Sequence, residues 1–152
     1  MRLYLLRHGE AANGGNDYAR PLTDKGRQQV NDQLIFSGPK IFYDALWVSP
    51  YVRAVQTAKI WSEAVDIAPR STDLIAPNAN IQLFYDELNL QQVSSLMVVA
   101  HNPFLSRLVM DFCGNPQQFL GMDTASLVAL EYDYAASGLG ELLWVSHVNN
   151  LR

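Results

Sequence analysis

Three short stretches carry residue types that together handle an anion. Arg7-His8-Gly9-Glu10, Ser49-Pro50-Tyr51-Val52-Arg53 and His101-Asn102-Pro103 contain two histidines and two arginines between them. A neutral imidazole has a lone pair on one ring nitrogen and attacks phosphorus directly. Arginine stays charged and grips phosphate oxygens with a planar fork. Charge spread over the equatorial oxygens is what such groups stabilise during phosphoryl transfer. A second histidine supplies a hydrogen bond to the same oxygens, and Gly9 lets the backbone approach them closely. Gathered in one pocket without an anion, these cationic or proton-carrying groups would repel one another. A phosphoryl group is the natural guest.

The elements that must position these residues follow from the surrounding pattern. Residues 2–6 are a continuous apolar run, as in a strand buried on both faces. Residues 23–37 read as a helix with Thr23 as N-cap. A second strand spans 44–48, and Ser49-Pro50 then reads as a cap followed by proline at the first helical position. That helix runs to about 66 and puts Ala54, Ala58, Trp61 and Val65 on one face. A shorter helix covers 80–92, and 95–100 is another buried strand. His101-Asn102-Pro103 repeats the cap-then-proline signal and opens a helix to about 112, with Leu105, Leu108, Val109 and Phe112 on one face. Residues 125–132 and 141–148 read as an antiparallel hairpin joined by the turn-rich 135–140 loop.

Alternating strands and helices predict an open α/β sheet covered on both sides, which binds ligands beyond the carboxyl ends of its strands. Each histidine-arginine stretch follows a strand, and the latter two also open a helix, whose N-terminus favours anions. A single histidine is commonly a satisfied structural residue and a single arginine a surface charge. That reading does not account for all of them falling at strand ends.

The chain has 152 residues, which suits a single domain over 1–152. Its net charge of −4, without a run of either sign, argues against nucleic acid as a partner. No apolar stretch reaches the ~20 residues that would span a membrane, and the first seven residues do not form a signal peptide. These exclusions lead to the expectation of a soluble cytoplasmic protein; a monomer is expected, though the sequence does not fix the oligomeric state. Cys113 reads as a plain buried thiol, His147 as a structural or rim residue, and Asp111 as a solvated charge. Trp47, Trp61 and Trp144 read as core.

Leu-Arg-His-Gly-Glu-Ala at 6–11 resembles the signature of the histidine phosphatase superfamily, which includes the cofactor-dependent phosphoglycerate mutases. Arg-Pro-Leu-Thr-Asp-Lys-Gly at 20–26, Ser-Pro-Tyr-Val-Arg-Ala-Val-Gln-Thr at 49–57 and Val-Ala-His-Asn-Pro at 99–103 continue the resemblance in order. The short length and the Arg-Pro-Leu-Thr block make the chain most similar to the small bacterial phosphohistidine phosphatases. The resemblance implies a phosphoglycerate mutase-like, three-layer α/β/α sandwich, mostly parallel with a C-terminal antiparallel hairpin. It implies that His8 is a nucleophile and that Arg7, Arg53 and His101 bind the phosphoryl group. Gly9, Arg20 and Asn102 are carried over as possible pocket residues. It implies a metal-independent phosphatase without a cofactor, acting on phosphohistidine in a signalling or phosphotransfer protein, such as a phosphotransfer or phosphocarrier domain.

Two departures bear on the substrate. The mutase-like branch has a glutamate general acid between the second arginine and the second histidine, whereas Leu74 to Tyr85 holds no acid. The acid-phosphatase branch has an aspartate after the second histidine, where this chain has Asn102. A sugar or glycerate alkoxide needs a proton to leave, and an imidazole leaves far more easily. The missing acid therefore favours a phosphoramidate substrate, unless Asp73, Asp86, Glu87 or Glu10 supplies the proton. The short chain leaves little for a lid, which suits a side chain presented by a partner. The alternatives are a small-molecule phosphomonoester phosphatase and a non-catalytic phosphoprotein-binding module.

Overall fold

A computed structural model describes residues 1–151. One six-stranded sheet carries the chain: β1 (Arg2–Arg7), β2 (Ala45–Val48), β3 (Arg70–Ser71), β4 (Ser95–Ala100), β5 (Leu127–Glu131) and β6 (Glu141–Ser146). Their spatial order is β3-β2-β4-β1-β5-β6. The first four are mutually parallel, while β5 runs antiparallel to both β1 and β6. Among the described residues four α-helices cover it: α1 (Asp24–Ser37), α2 (Val52–Val65), α3 (Ile81–Gln91) and α4 (Phe104–Phe112).

Strand alternation sorts the apolar residues into two cores. Leu3, Leu5, Leu96 and Val98 pack with Phe84 and Leu88 of α3 and with Leu105 and Val109 of α4. Tyr4, Leu6, Met97 and Val99 pack on the opposite face with Val30 of α1 and with Ala54, Ala58 and Trp61 of α2. The result is a three-layer α/β/α sandwich in which β4, at the centre, is buried along its whole length. Each apolar side chain removed from water contributes about 1.5–3 kcal/mol, so this double core fixes the sheet rigidly.

Side-chain caps set the starts of α1 and α3. Thr23 Oγ1 accepts from the Gly26 N–H at 2.9 Å, and Asn80 Oδ1 from the Leu83 N–H at 3.1 Å. The start of α2 differs. The helix begins at Val52 with Tyr51 at the N-cap, and Ser49 makes no capping bond. Ser49 instead continues from β2 toward the neighbouring strand end. The start of α4 also shifts: Pro103 takes the N-cap position, following a cis Asn102–Pro103 peptide. Val65 is 37 % exposed, outside the face formed by Ala54, Ala58 and Trp61. Asp111 is not a plain solvated charge, since it accepts from the Tyr85 hydroxyl at 2.8 Å and from Ser137 Oγ at 3.0 Å. Trp144 is only partly buried.

Among the described residues, no helix is long and apolar enough to cross a membrane.

Candidate functional site

The register of three adjacent parallel strands brings the histidine-arginine stretches together. Arg7 pairs with Ala100 across β1 and β4, and Val48 with Val99 across β2 and β4. Their next residues, His8, His101 and Ser49, therefore emerge side by side at the carboxyl edge of the sheet. The His8 and His101 rings are 5.1 Å apart. The His8 backbone is clamped from both sides: its N–H donates to the Ala100 carbonyl at 3.1 Å, and its carbonyl accepts from the Ala125 N–H at 2.9 Å.

His8 Nδ1 lies 2.7 Å from the Gly9 carbonyl oxygen. A carbonyl only accepts, so the ring proton is on Nδ1 and the lone pair is on Nε2. Arg53 Nε donates to that Nε2 at 3.2 Å. Burial pushes the His8 pKa down to about 4, helped by the charges of Arg53, Arg7 and Arg20 and opposed by the Gly9 hydrogen bond. The ring is therefore neutral at physiological pH, with its Nε2 lone pair accepting from Arg53.

His101 is nearly fully buried, and its Nε2 meets Ser49 Oγ at 2.6 Å. Its other nitrogen, Nδ1, is buried without a hydrogen-bond partner, as is Arg7 Nε. Unpaired buried polar atoms are costly, so two of them at one edge of the sheet suit a guest that bonds them. Burial first, then the nearby His8 and Arg53, hold the His101 pKa down to about 3.

Arg53 sits in the first turn of α2 and is buried. Its Nη1 donates to the Asp17 carbonyl at 2.7 Å, and its Nη2 stands 3.5 Å from the Asp17 carboxylate. Arg7 Nη1 donates to the Met122 carbonyl at 2.7 Å. Burial lowers the pKa of both arginines, without approaching a neutral form in water. Further along α2, Thr57 Oγ1 accepts from the Gly9 N–H at 3.3 Å, and Gln56 accepts from the Leu22 N–H at 2.7 Å. These bonds tie α2 to the loops on either side of the site.

Gly9 does not owe its identity to an approaching anion. A Cβ there would collide with the Gly26 carbonyl and Val30, and its N–H is already bonded to Thr57. Asn102 is likewise occupied. Its Nδ2 donates to the Met122 carbonyl at 3.0 Å, and its Oδ1 accepts from the Ser106 N–H and hydroxyl. Both residues thus shape the site's frame. Arg20 stands at the rim, where its guanidinium is 2.8 Å from Asp17 Oδ1 and also donates to the Ala12 carbonyl. His147 is outside the cluster, with its Nδ1 2.8 Å from Ser126 Oγ.

Four neighbours of the cluster are not expected from the sequence to serve the site. Ser49 holds His101, and Asp17 holds Arg53 and Arg20. Tyr51 lies 5.0 Å from the His101 ring and beneath the Arg53 guanidinium, and Tyr18 lies 5.0 Å from Tyr51. Tyr51, in the 49–57 block two residues before Arg53, was the one with a usable signal; Tyr18 and Asp17 sit in a polar loop that offers none. Three of the four candidate acids have partners outside the His8, His101 and arginine cluster. Glu87 pairs with Arg70 at 2.8 Å, Asp86 accepts from Gln82, and Glu10 accepts from Thr23 at 3.0 Å. Asp17 is held below the usual carboxylate range by Arg20 first and by Arg53. Among the described residues, no group of three or more histidine, cysteine or acidic side chains is arranged to hold a metal ion.

Two imidazoles and two arginines at the carboxyl edge of an open α/β sheet define a site for phosphoryl chemistry. Comparison with known proteins agrees. Residues 3–76 match the family model of the histidine phosphatase superfamily, branch 1. The chain is 29 % identical to the phosphohistidine phosphatase SixA of Escherichia coli K12, over all of this chain and 97 % of that one. It is also 29 % identical to the SixA homolog of Haemophilus influenzae, over 84 % of this chain and 88 % of that one. A solved structure of the protein histidine phosphatase SixA complexed with tungstate superposes with a TM-score of 0.84 at 26 % identity, covering both chains fully. These likenesses support a histidine phosphatase, and the chain has the phosphoglycerate mutase-like fold.

Proposed function

We propose that the protein removes phosphate from phosphohistidine on a partner protein, with His8 as nucleophile. The observation that carries this reading is the fixed His8 tautomer, which leaves a neutral Nε2 lone pair beside Arg53. Arg7, Arg53 and His101 hold the equatorial oxygens, and Arg53 moves its Nε–H from His8 to the phosphoryl group as the substrate enters. A hydrogen bond from Ser49 to His101 Nε2 would leave the Nδ1–H of His101 free to donate to a phosphoryl oxygen. A relative of the same fold is complexed with tungstate, a tetrahedral oxyanion like phosphate, which supports anion binding by this fold.

The His8 Nε2 lone pair forms a bond to phosphorus as the substrate P–N bond breaks. The electron pair of that bond goes to the departing ring nitrogen. The far nitrogen of the substrate ring already carries a proton taken from solvent, so the ring leaves as neutral imidazole. Water then attacks phospho-His8, the P–N bond electrons return to Nε2, and phosphate and a proton are released. No acid is needed at the bridging atom. Asp17, the carboxylate at the arginines, is held ionised by Arg20 and Arg53 and is a poor proton donor. An ester substrate would have to expel an alkoxide, a base of about the strength of hydroxide and far stronger than imidazole.

The substrate fitting this chemistry is a phosphohistidine side chain on a phosphotransfer or phosphocarrier domain. Rates on such a phosphorylated domain and on simple sugar phosphates, measured side by side, test it. The expected preference in kcat/KM for the phosphohistidine protein is at least about 100-fold. Equal or greater activity on the esters would assign the site to small phosphomonoesters.

A further inference from the structure

We infer that Tyr51 and Tyr18 form an aromatic rim that selects a flat, cationic leaving group, the protonated imidazole ring of phosphohistidine. This rests on the phosphohistidine reading and deepens it.

Four rings form a series from the floor of the site to its surface. His8 to His101 is 5.1 Å between centroids, His101 to Tyr51 is 5.0 Å, and Tyr51 to Tyr18 is 5.0 Å. The two histidines are buried, at 7 % and 1 % exposed, Tyr51 is half-buried, and Tyr18 is 48 % exposed. A nucleophile on the floor attacks from below, so in-line displacement sends the leaving group toward the solvent side of phosphorus. Aromatic faces stand at that rim.

The rim is already suited to a cation. The Arg53 guanidinium carbon lies 5.0 Å from the Tyr51 ring centroid, within cation–π range. Arg53 is also the group that reaches the Asp17 backbone, so Tyr18, the next residue, is anchored to the site by its neighbour. A phosphorylated imidazole carrying a proton on its far nitrogen is a flat cation. Stacking on Tyr18 would hold that ring and favour its protonated, readily leaving form. An alkyl phosphate or inorganic phosphoramidate has no ring to stack.

The segment Asp17–Ala19 is held in place without Tyr18's side chain. Asn16 Oδ1 caps it through the Tyr18 N–H at 3.0 Å, and Asp17 is fixed by Arg20 and Arg53. Tyr18 can therefore be changed without dismantling the loop.

The test uses the full chain, a synthetic phosphohistidine peptide and inorganic phosphoramidate, whose P–N bond carries no ring. The readout is the ratio of kcat/KM for the peptide to that for phosphoramidate. In Tyr18→Ala the ratio is expected to fall about tenfold, mainly through KM for the peptide, and in Tyr18→Phe to stay near that of the wild type. A Tyr18→Ala ratio within twofold of the wild type overturns the rim. Loss of the ratio in Tyr18→Phe as well would assign the effect to the hydroxyl and also overturns it. A wild-type protein inactive on the peptide but active on sugar phosphates removes the phosphohistidine reading itself, a distinct result.

Discussion

His8 is a base made available by its surroundings. Burial disfavours the imidazolium, the flanking arginines repel it, and together they outweigh the stabilising Gly9 bond. A free histidine loses its nucleophilic form as the pH drops through ~6.5, and this one keeps it to about pH 4. The acid limb of kcat/KM on phosphoramidate, corrected for the substrate's own titration, is therefore expected near pH 4. A limb near 6.5 that responds to Arg53→Lys would contradict the placement of His8. Ser49 acts through His101. Ser49→Ala removes the 2.6 Å partner of His101 Nε2 and is expected to lower kcat about tenfold and the thermal midpoint by a few degrees. Most of these residues were legible from sequence, because His8, Arg53 and His101 follow apolar runs that become strands. Ser49 was legible as a residue but assigned to a cap, since Ser-Pro signals a helix start as readily as a strand end. Asp17 and Tyr18 had no signal, because what places them is the docking of their loop on Arg53 rather than any local pattern.

At the scale of elements, the site depends on how the loop after β1 meets α1. Gly9 and Gly26 face each other across that junction. A Cβ on Gly9 would run into the Gly26 carbonyl, and one on Gly26 into the Glu10 backbone. Glu10 N–H donates to Gln29 at 2.9 Å, Thr23 N–H to the Glu10 carbonyl, and Ala12 N–H to the Pro21 carbonyl. These bonds, with an antiparallel bridge between Ala11 and Leu22, close the base of the 12–21 loop and aim Asp17 and Tyr18 over Arg53. Gly9→Ala and Gly26→Ala are each expected to destabilise the fold by at least about 2 kcal/mol, read from chemical unfolding midpoints. Unchanged midpoints would mean that the junction yields easily. The sequence reading placed both glycines in blocks of the family pattern, but their packing against each other is a contact between segments that spacing alone does not reveal. The two-residue β3 was likewise invisible, since Arg70 and Ser71 are exposed and too few to form a pattern.

Over the whole molecule, the anion site has a cost in acid. His8 and His101 are held neutral, with folded pKa values of about 4 and 3, below the ~6.5 of an unfolded chain. The unfolded chain takes up these protons first, so stability is fully present above about pH 6.5 and is lost as pH falls toward 4. The loss is expected to reach a few kcal/mol, read from urea unfolding across that window, and to be smaller in His101→Gln. Equal pH dependence in the two proteins would contradict the buried neutral state of His101. The strand order β2-β4-β1 makes this arrangement possible, since it brings three strand ends together from separate parts of the chain. Alternating strands and helices made the α/β layering legible. The central claim remains that His8 attacks phosphorus, and trapping the covalent intermediate tests it most directly. The protein would be mixed with a domain carrying labelled phosphohistidine and quenched rapidly in alkali, which preserves P–N bonds. The account predicts transient label on His8 in the wild type, and in His8→Ala no label and turnover lower by at least about 10⁴-fold. Continued turnover in His8→Ala, or turnover in the wild type with label never reaching His8, would contradict it.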